Sequence, residues 1–515
     1  MNYRIANVLI FLVIFISVSL LSFRSDYLFN SDHGFHLSYF IQPIISMNEG
    51  YRLLVDQPSQ YGFMNILIPY LIDFNGPINS FHIFQGLLNI FAITIVVILS
   101  IFILKIKQFN FFIFLFSIIL LLSSTDLYGP QVYPSTGVVR FFPVYLVILA
   151  QCYIRNINSS FLCEVLCLSL CVFISLLWGA EALFYTLFSI AFYYLQDLLF
   201  NPSWEKFKEK LYKGFIILGL SISCTFIILK IYQYGFEIES LNIGLHFSYL
   251  ISYSYGFGMT LGAMIPNIFT PILIITIPLL ITLIINKNNS KNYQTIACYG
   301  SIIIAVLSYS FMRSIANNVN NLWPILFLCF AVMYFEIKKR NLDEDVYSLK
   351  ILLLPCLIIS SLCMGNILIN YNTIPKILKS NKIIIDNNNF KREFVLEEKD
   401  IKIQKAIEEI DWKVSSLSIM TWSGKTGNGL NLEIIPFLPG PAVSLTYHDD
   451  AYIMNILVNS KNFSSREGFL LHDKYWDTYK KLTNIVLKMK DCKLLIFSNR
   501  YDFYQCYSVI KRIDE

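Results

Sequence analysis

The sequence predicts an all-α polytopic membrane protein of about eleven transmembrane helices, with interfacial helices in the first outer loop and a small C-terminal α/β domain outside the membrane. Three observations predict it. Hydrophobic residues make up 55% of the 515-residue chain and charged residues 15%, against about 25% charged in an ordinary soluble protein. Apolar runs long enough for the core of a bilayer recur over residues 1–370. Beyond residue 370 the pattern turns polar, with short strand-like runs. The net charge of +5 is small and sits mainly in short connections, so it reads as topology information and not as a nucleic-acid footprint.

The expected spans are 6–23, 81–104, 109–124, 141–154, 161–178, 182–199, 214–234, 267–286, 294–312, 321–336 and 350–370. The first is longer than a signal-peptide core and no small-x-small cleavage site follows it, so it reads as a retained helix. Orientation follows from the basic residues. With the N-terminus in the cytoplasm, Lys105, Lys107, Arg155, Lys206, Lys208, Lys210, Lys213, Lys287, Lys291, Lys338, Lys339, Arg340 and Lys350 all fall on the inner side. The short outer loops carry only Arg24, Arg52, Arg140, Lys230 and Arg313. In a bacterium, which the Ile-, Asn-, Lys- and Phe-rich composition hints at, this is the cytoplasmic (inner) membrane, with residues 371–515 in the periplasm.

Residues 1–340 are expected to form the catalytic membrane module, 341–370 the last helix with its lead-in, and 371–515 the soluble domain. That domain opens with an Asn/Lys-rich linker at 379–394, followed by a helix at 398–410 and strands such as 417–422 and 493–499. It shows no Ser-His-Asp order, zinc spacing or phosphate loop. Most of the 11 cysteines lie in apolar runs and act there as small hydrophobes; Cys163, Cys167 and Cys171 form a stripe suited to helix packing. Cys492 and Cys506 lie in the polar region and can pair if it is outside the cytoplasm.

The outer connections hold the chemistry. The first, 24–80, reads as two amphipathic helices in the interface, broken near Gly50 and Pro58. The connection after the seventh span, 235–266, is rich in Gly and aromatics, which suits a mobile loop. Ionisable residues gather in these outer loops: Asp32, His33, His36, Asp56, Asp126, Arg140, Glu181 and Arg313. A charge near hydrocarbon is costly and usually faces a cavity. Carboxylates there serve as a general base or hold a cation, and arginines grip phosphate in bidentate fashion. Together they suggest group transfer from a lipid-linked phosphate donor. Each residue also has a plainer reading. Asp32 would cap a helix beginning near Gly34, Asp126 and Asp56 would serve turns beside prolines, Arg140 and Arg313 would snorkel to the interface, and Glu181 would anchor beside Trp178.

The order of these features resembles the GT-C type integral membrane glycosyltransferases, which use polyprenyl-phosphate sugars and include protein mannosyltransferases, aminoarabinose transferases and oligosaccharyltransferases. The resemblance is carried by 30-NSDHGFH-36 after the first span, by 50-GYRLLVDQPSQYG-62, by Asp126 after the third span, by 133-YPSTGVVRF-141, 177-LWGAE-181 and 311-FMRSIANN-318, and by the loop after the seventh span. It covers residues 1–340 in architecture. The departure is at Asp32, whose neighbour is His33 where many members carry a second carboxylate.

The resemblance implies an inverting glycosyltransferase that moves a sugar from a polyprenyl-phosphate donor to a glycan, lipid or protein acceptor at the outer face, in assembly or modification of a surface glycan. Asp32 is implied as general base and Arg140 and Arg313 as phosphate ligands, with His33 and His36 assisting. Asp56 and Tyr61 would shape the acceptor or sugar pocket, and Asp126 and Glu181 would bind substrate. A divalent cation, Mg or Mn, held by Asp32 and Asp126, and catalysis without a metal both stay open at this point. Two other readings stand beside this one: a polymerase of lipid-linked repeat units, and a transporter or flippase without chemistry. The clustering of polar residues at one face, with almost no charge deep in the spans, speaks against the last.

Overall fold

The structure is a computed structural model that describes residues 22–23, 31–48, 50–55, 61–105, 137–157, 160–200, 202–244, 290–312, 322–340, 352–361, 401–409, 416–420, 450–459, 463, 467–474 and 477–510. Helices dominate the membrane part: α1 (Ser31–Asn48), α2 (Met64–Ile72), α3 (Pro77–Ile98), α4 (Val138–Ile157), α5 (Phe161–Trp178), α6 (Ala180–Phe200), α7 (Trp204–Gly235), α8 (Ser290–Met312) and α9 (Trp323–Arg340). A short apolar helix, α10 (Leu352–Ser361), follows. Among the described residues, Pro77–Ile103, Val138–Asn156, Phe161–Trp178 and Trp204–Gly235 are long and apolar enough to cross a bilayer. The expected spans 6–23, 109–124 and 267–286 lie outside the described residues, apart from Ser22 and Phe23.

The chain divides into two compact units. The first comprises Met1–Arg24, Gln85–Tyr232 and Met259–Asn381; the second comprises Ser25–Phe84, Gln233–Gly258 and Lys382–Glu515. In the first unit α4, α5, α6, α8 and α9 pack as a bundle around residues such as Ile148, Leu168, Tyr299, Ile302 and Phe330. Small polar side chains stitch the helices together. Ser175 and Thr186 share a hydrogen bond of 2.7 Å, Ser221 Oγ donates to Ser169 O at 2.9 Å, and Gln151 Nε2 donates to Ser189 O at 3.2 Å. Gly86 lies against the Phe23 ring, which would have to shift to admit a Cβ.

Helix ends follow local chemistry. Ser160 caps α5, its hydroxyl accepting from Cys163 N at 3.4 Å. α3 runs into one π-helical turn, Leu99–Ile103, closed by Leu104 N donating to Leu99 O at 2.9 Å. The run 205–213, which carries four of the lysines expected on the inner side, forms the start of the 32-residue α7. Its Lys and Glu residues are good helix formers, and Glu209 pairs with Lys213 one turn away at 2.8 Å.

In the second unit α1 and α2 form the expected pair, with the break at Gly50, whose φ of 94° suits glycine. Gly50 N donates to Met47 O and Tyr51 N to Ser46 O, closing the end of α1. Phe40 stacks between Tyr61 and Phe81, with ring centroids 4.9 and 4.6 Å away. Pro58 lies outside the described residues.

The C-terminal region contains α11 (Ile401–Glu408), β1 (Ser416–Met420), α12 (Asp450–Asn459), β2 (Gly468–Asp473), α13 (Asp477–Met489), β3 (Lys490–Phe497) and β4 (Tyr501–Ile510). The strands form one mixed sheet in the order β1-β2-β4-β3. β1 runs parallel to β2, and the other pairs are antiparallel. Cys492 and Cys506 face each other across β3 and β4 and are joined in a disulfide. Cys163 and Cys167 are half-buried and Cys171 is buried, all three as free thiols on α5.

Lys490 opens β3 fully buried, its Nζ 4.9 Å from the centre of the Phe463 ring. Burial lowers its pKa to about 8, Glu467 opposing the shift. The folded value lies below the unfolded one, near 10.4, so folding releases a proton and stability rises as pH climbs from about 8 toward 10.5. Lys490→Met is expected to raise the unfolding temperature of this region at pH 7 by a few degrees and to flatten that rise, as followed by thermal unfolding at several pH values.

Candidate functional site

Arg140 and Glu181, singled out separately in the sequence, meet in the first unit. Arg140 is the third residue of α4, where Gly137 O accepts from Arg140 N at 3.0 Å and from Phe141 N at 3.2 Å. Glu181 is the second residue of α6, in a first turn that favours a carboxylate. A single residue, Gly179, separates α5 from α6, so Trp178 and Glu181 are held close together. Trp178 Nε1 donates to Val139 O at 2.5 Å, and its ring packs on Phe142 at 5.2 Å. Residues 137–142 and 177–181 are therefore neighbours in space.

The pair is bidentate. Arg140 Nε donates to Glu181 Oε2, and Nη2 donates to Oε1 at 2.7 Å. The arginine side chain is 4% exposed and the glutamate 19%. The fork that would grip a phosphate is thus engaged by a carboxylate of the chain. Arg140 can serve an anion only by sharing or exchanging Glu181, while the Glu181 carboxylate keeps lone pairs with which to accept from a hydroxyl.

The remaining candidates belong to the second unit or lie outside the described residues. Asp32, His33 and His36 are in the first two turns of α1. The helix begins at Ser31, three residues N-terminal of the start expected near Gly34, so Asp32 lies inside its first turn. Asp32 and His36 are one turn apart. Tyr61 belongs to the aromatic packing of the second unit, and its carbonyl accepts from Asn65 Nδ2 at 2.6 Å. Asp56, Asp126 and Arg313 lie outside the described residues, Arg313 directly after the last residue of α8. Among the described residues, no three His, Cys, Asp or Glu side chains gather as a metal would require.

Two buried charge clusters were not legible as sites. Glu336 of α9, with its side chain fully buried, accepts from Arg155 Nε at 3.2 Å, Asn156 Nδ2 at 3.0 Å and Tyr299 OH at 2.7 Å. Arg155 also donates from Nη2 to Thr295 Oγ1 at 2.5 Å. This cluster lies 15 residues along α4 from Arg140, about 22 Å at 1.5 Å per residue. Glu164 of α5 takes Lys213 of α7 at 2.7 Å. A carboxylate inside an otherwise apolar run was the available signal in both cases. Both carboxylates are paired and lie toward helix ends, so the near-absence of charge deep in the spans is refined to buried pairs near those ends.

No protein-family model matches the sequence, and no curated protein does. Among solved structures, the chain is similar to ArnT from Cupriavidus metallidurans bound to undecaprenyl phosphate, at 11% identity and TM-score 0.43 over 98% of both chains. It is also similar to the same protein in the apo state, at 11% identity, TM-score 0.31 and 98% of both chains. A third likeness is to the Archaeoglobus fulgidus oligosaccharyltransferase in complex with Zn and sulfate, at 12% identity and TM-score 0.30, covering 93% of this chain and 71% of that one. The likeness is one of low identity and low TM-score throughout. At such identities it fixes no residue-by-residue correspondence.

Removing one partner of a buried ion pair strands the other, at a cost of about 3–5 kcal/mol. Glu181→Gln is therefore expected to lower the unfolding temperature in detergent more than the double change Arg140→Gln with Glu181→Gln. Equal losses from the single and double variants would show that Arg140 left without its carboxylate carries no extra cost.

Proposed function

We propose that the protein is an inverting glycosyltransferase that takes a sugar from a polyprenyl-phosphate donor and passes it to an acceptor at the outer face of a bacterial cytoplasmic membrane, in the assembly or modification of a surface glycan. The observation that carries the reading is a succession of elements. An apolar run is followed by a helix with Asp32 in its first turn, then by the short α2, then by the long α3. A carboxylate at the start of an interfacial helix is placed where an acceptor hydroxyl from the aqueous side can meet a lipid-borne donor. The asymmetry of basic residues supports an outward-facing site. So does the Cys492–Cys506 disulfide, a bond at home in an oxidising compartment.

In this reading Asp32 takes the proton of the acceptor hydroxyl as its oxygen attacks the anomeric carbon on the face opposite the phosphate. The bond from that carbon to the phosphate oxygen breaks, its electron pair stays on the phosphate, and the configuration inverts. Charge grows on the leaving phosphate, so fixed cations there lower the barrier most. Arg313 is assigned to it, with His33 or His36 assisting. Arg140 acts through its pair with Glu181, which places Glu181 to accept from sugar hydroxyls. Asp56 and Tyr61 are assigned to acceptor or sugar recognition, and Asp126 to substrate binding. None of these steps is routed through a metal ion.

The test is a glycan mass profile of cells lacking the protein, complemented by wild type or by Asp32→Asn. Deletion is expected to remove one sugar increment, and Asp32→Asn to leave it missing at normal membrane levels. Full restoration by Asp32→Asn would reduce Asp32 to a helix-terminal residue. Shorter chains without loss of a sugar type would make the protein a polymerase, and accumulation of an unaltered lipid-linked precursor on the inner face would make it a flippase.

A further inference from the structure

Residues 233–242, where α7 gives way to the connection after it, form a preformed turn. Ile238 N donates to Gln233 O at 2.9 Å, Gln233 Nε2 donates to Glu239 O at 2.8 Å, and Glu237 takes a φ of 52°. Two features of residues 51–55 meet this turn within the second unit. The Arg52 guanidinium lies over the Phe236 ring, 5.4 Å from its centroid, while Tyr70 of α2 touches the same ring from 5.7 Å. Asn242 N donates to Leu54 O at 2.7 Å. Leu54 is buried and holds φ at 62°, a left-handed conformation that a residue with a Cβ adopts only when its surroundings hold it there.

A strained residue, a short hydrogen bond and a cation over a ring thus converge two residues before Asp56. The hydrogen bond and the guanidinium on Phe236 join residues 51–55 to the turn at 233–242 at two separate points. We propose that Arg52 is a positioning residue, which fixes the turn leading to Asp56 and Tyr61 by docking on Phe236 and so holds Leu54 in register with Asn242. The role in transfer rests on the proposed function; the anchor itself does not.

The test combines hydrogen exchange with the glycan profile, using wild type, Arg52→Ala, Phe236→Ala and Arg52→Lys in the full-length protein in detergent and in complemented cells. The Asn242 amide is expected to be protected in wild type and to exchange about tenfold faster in either alanine variant, because its acceptor is no longer held. The added sugar should fall about tenfold in the same variants, the scale on which small misplacements act. Arg52→Lys, which keeps a cation over the ring, should restore much of both. Unchanged exchange in Arg52→Ala overturns the anchor whatever the glycan shows. Faster exchange with a wild-type glycan profile overturns the positioning role and leaves a purely structural contact. If the deletion itself removes no sugar, the transferase reading fails, while the exchange data still decide the anchor.

Discussion

A guanidinium buried in an apolar helix bundle has to be met by a carboxylate, and this chain meets that requirement at both ends of α4. Near its start Arg140 is gripped by Glu181 of α6. Near its end Arg155 is gripped by Glu336 of α9, with Thr295 and Tyr299 of α8 completing the shell. Dispersion alone holds helices with little directionality, because lipid tails compete for the same apolar faces. Two fixed pairs, one toward each end, set the height and rotation of α4 against three other helices. The Arg140–Glu181 pair therefore sits on a helix held at both ends, the kind of rigid element on which a site is best supported.

How far the sequence reveals this depends on how local the determinants are. The span at 161–178 coincides with α5 because Ser160 and Gly179 bound it within the sequence itself. The span at 214–234 comes out short of α7 because hydropathy drops at the charged run, although those residues are good helix formers. Arg140 and Glu181 each stand out as ionisable residues beside apolar runs. Their pairing spans 41 residues, and no periodicity reports a contact of that range. Glu336 is hidden by the apolar residues before it and the basic residues after it.

The C-terminal domain shows the same limit. Its helix near 401 and the strands near 417 and 493 carry local patterns, and the sheet contains them. β2 and β4 were not anticipated: 468-GFLLHD-473 is short, and 501-YDFYQCYSVI-510 alternates only loosely. Whether Cys492 and Cys506 could pair depended on the register of β3 against β4, which places them opposite each other.

The length of α7 ties the protein to the thickness of its membrane. At 1.5 Å per residue its 32 residues extend about 48 Å, against roughly 30 Å of hydrocarbon. The excess is the charged segment from Trp204, and Lys213, bonded to Glu164, stands where that segment gives way to apolar residues. In a thinner bilayer this ion pair surfaces toward the headgroups and is screened by water. In a thicker one it is drawn into hydrocarbon, where separating the charges becomes steeply unfavourable. The acyl-chain length of the surrounding lipid thus becomes a variable that tunes how firmly α7 is fastened to α5.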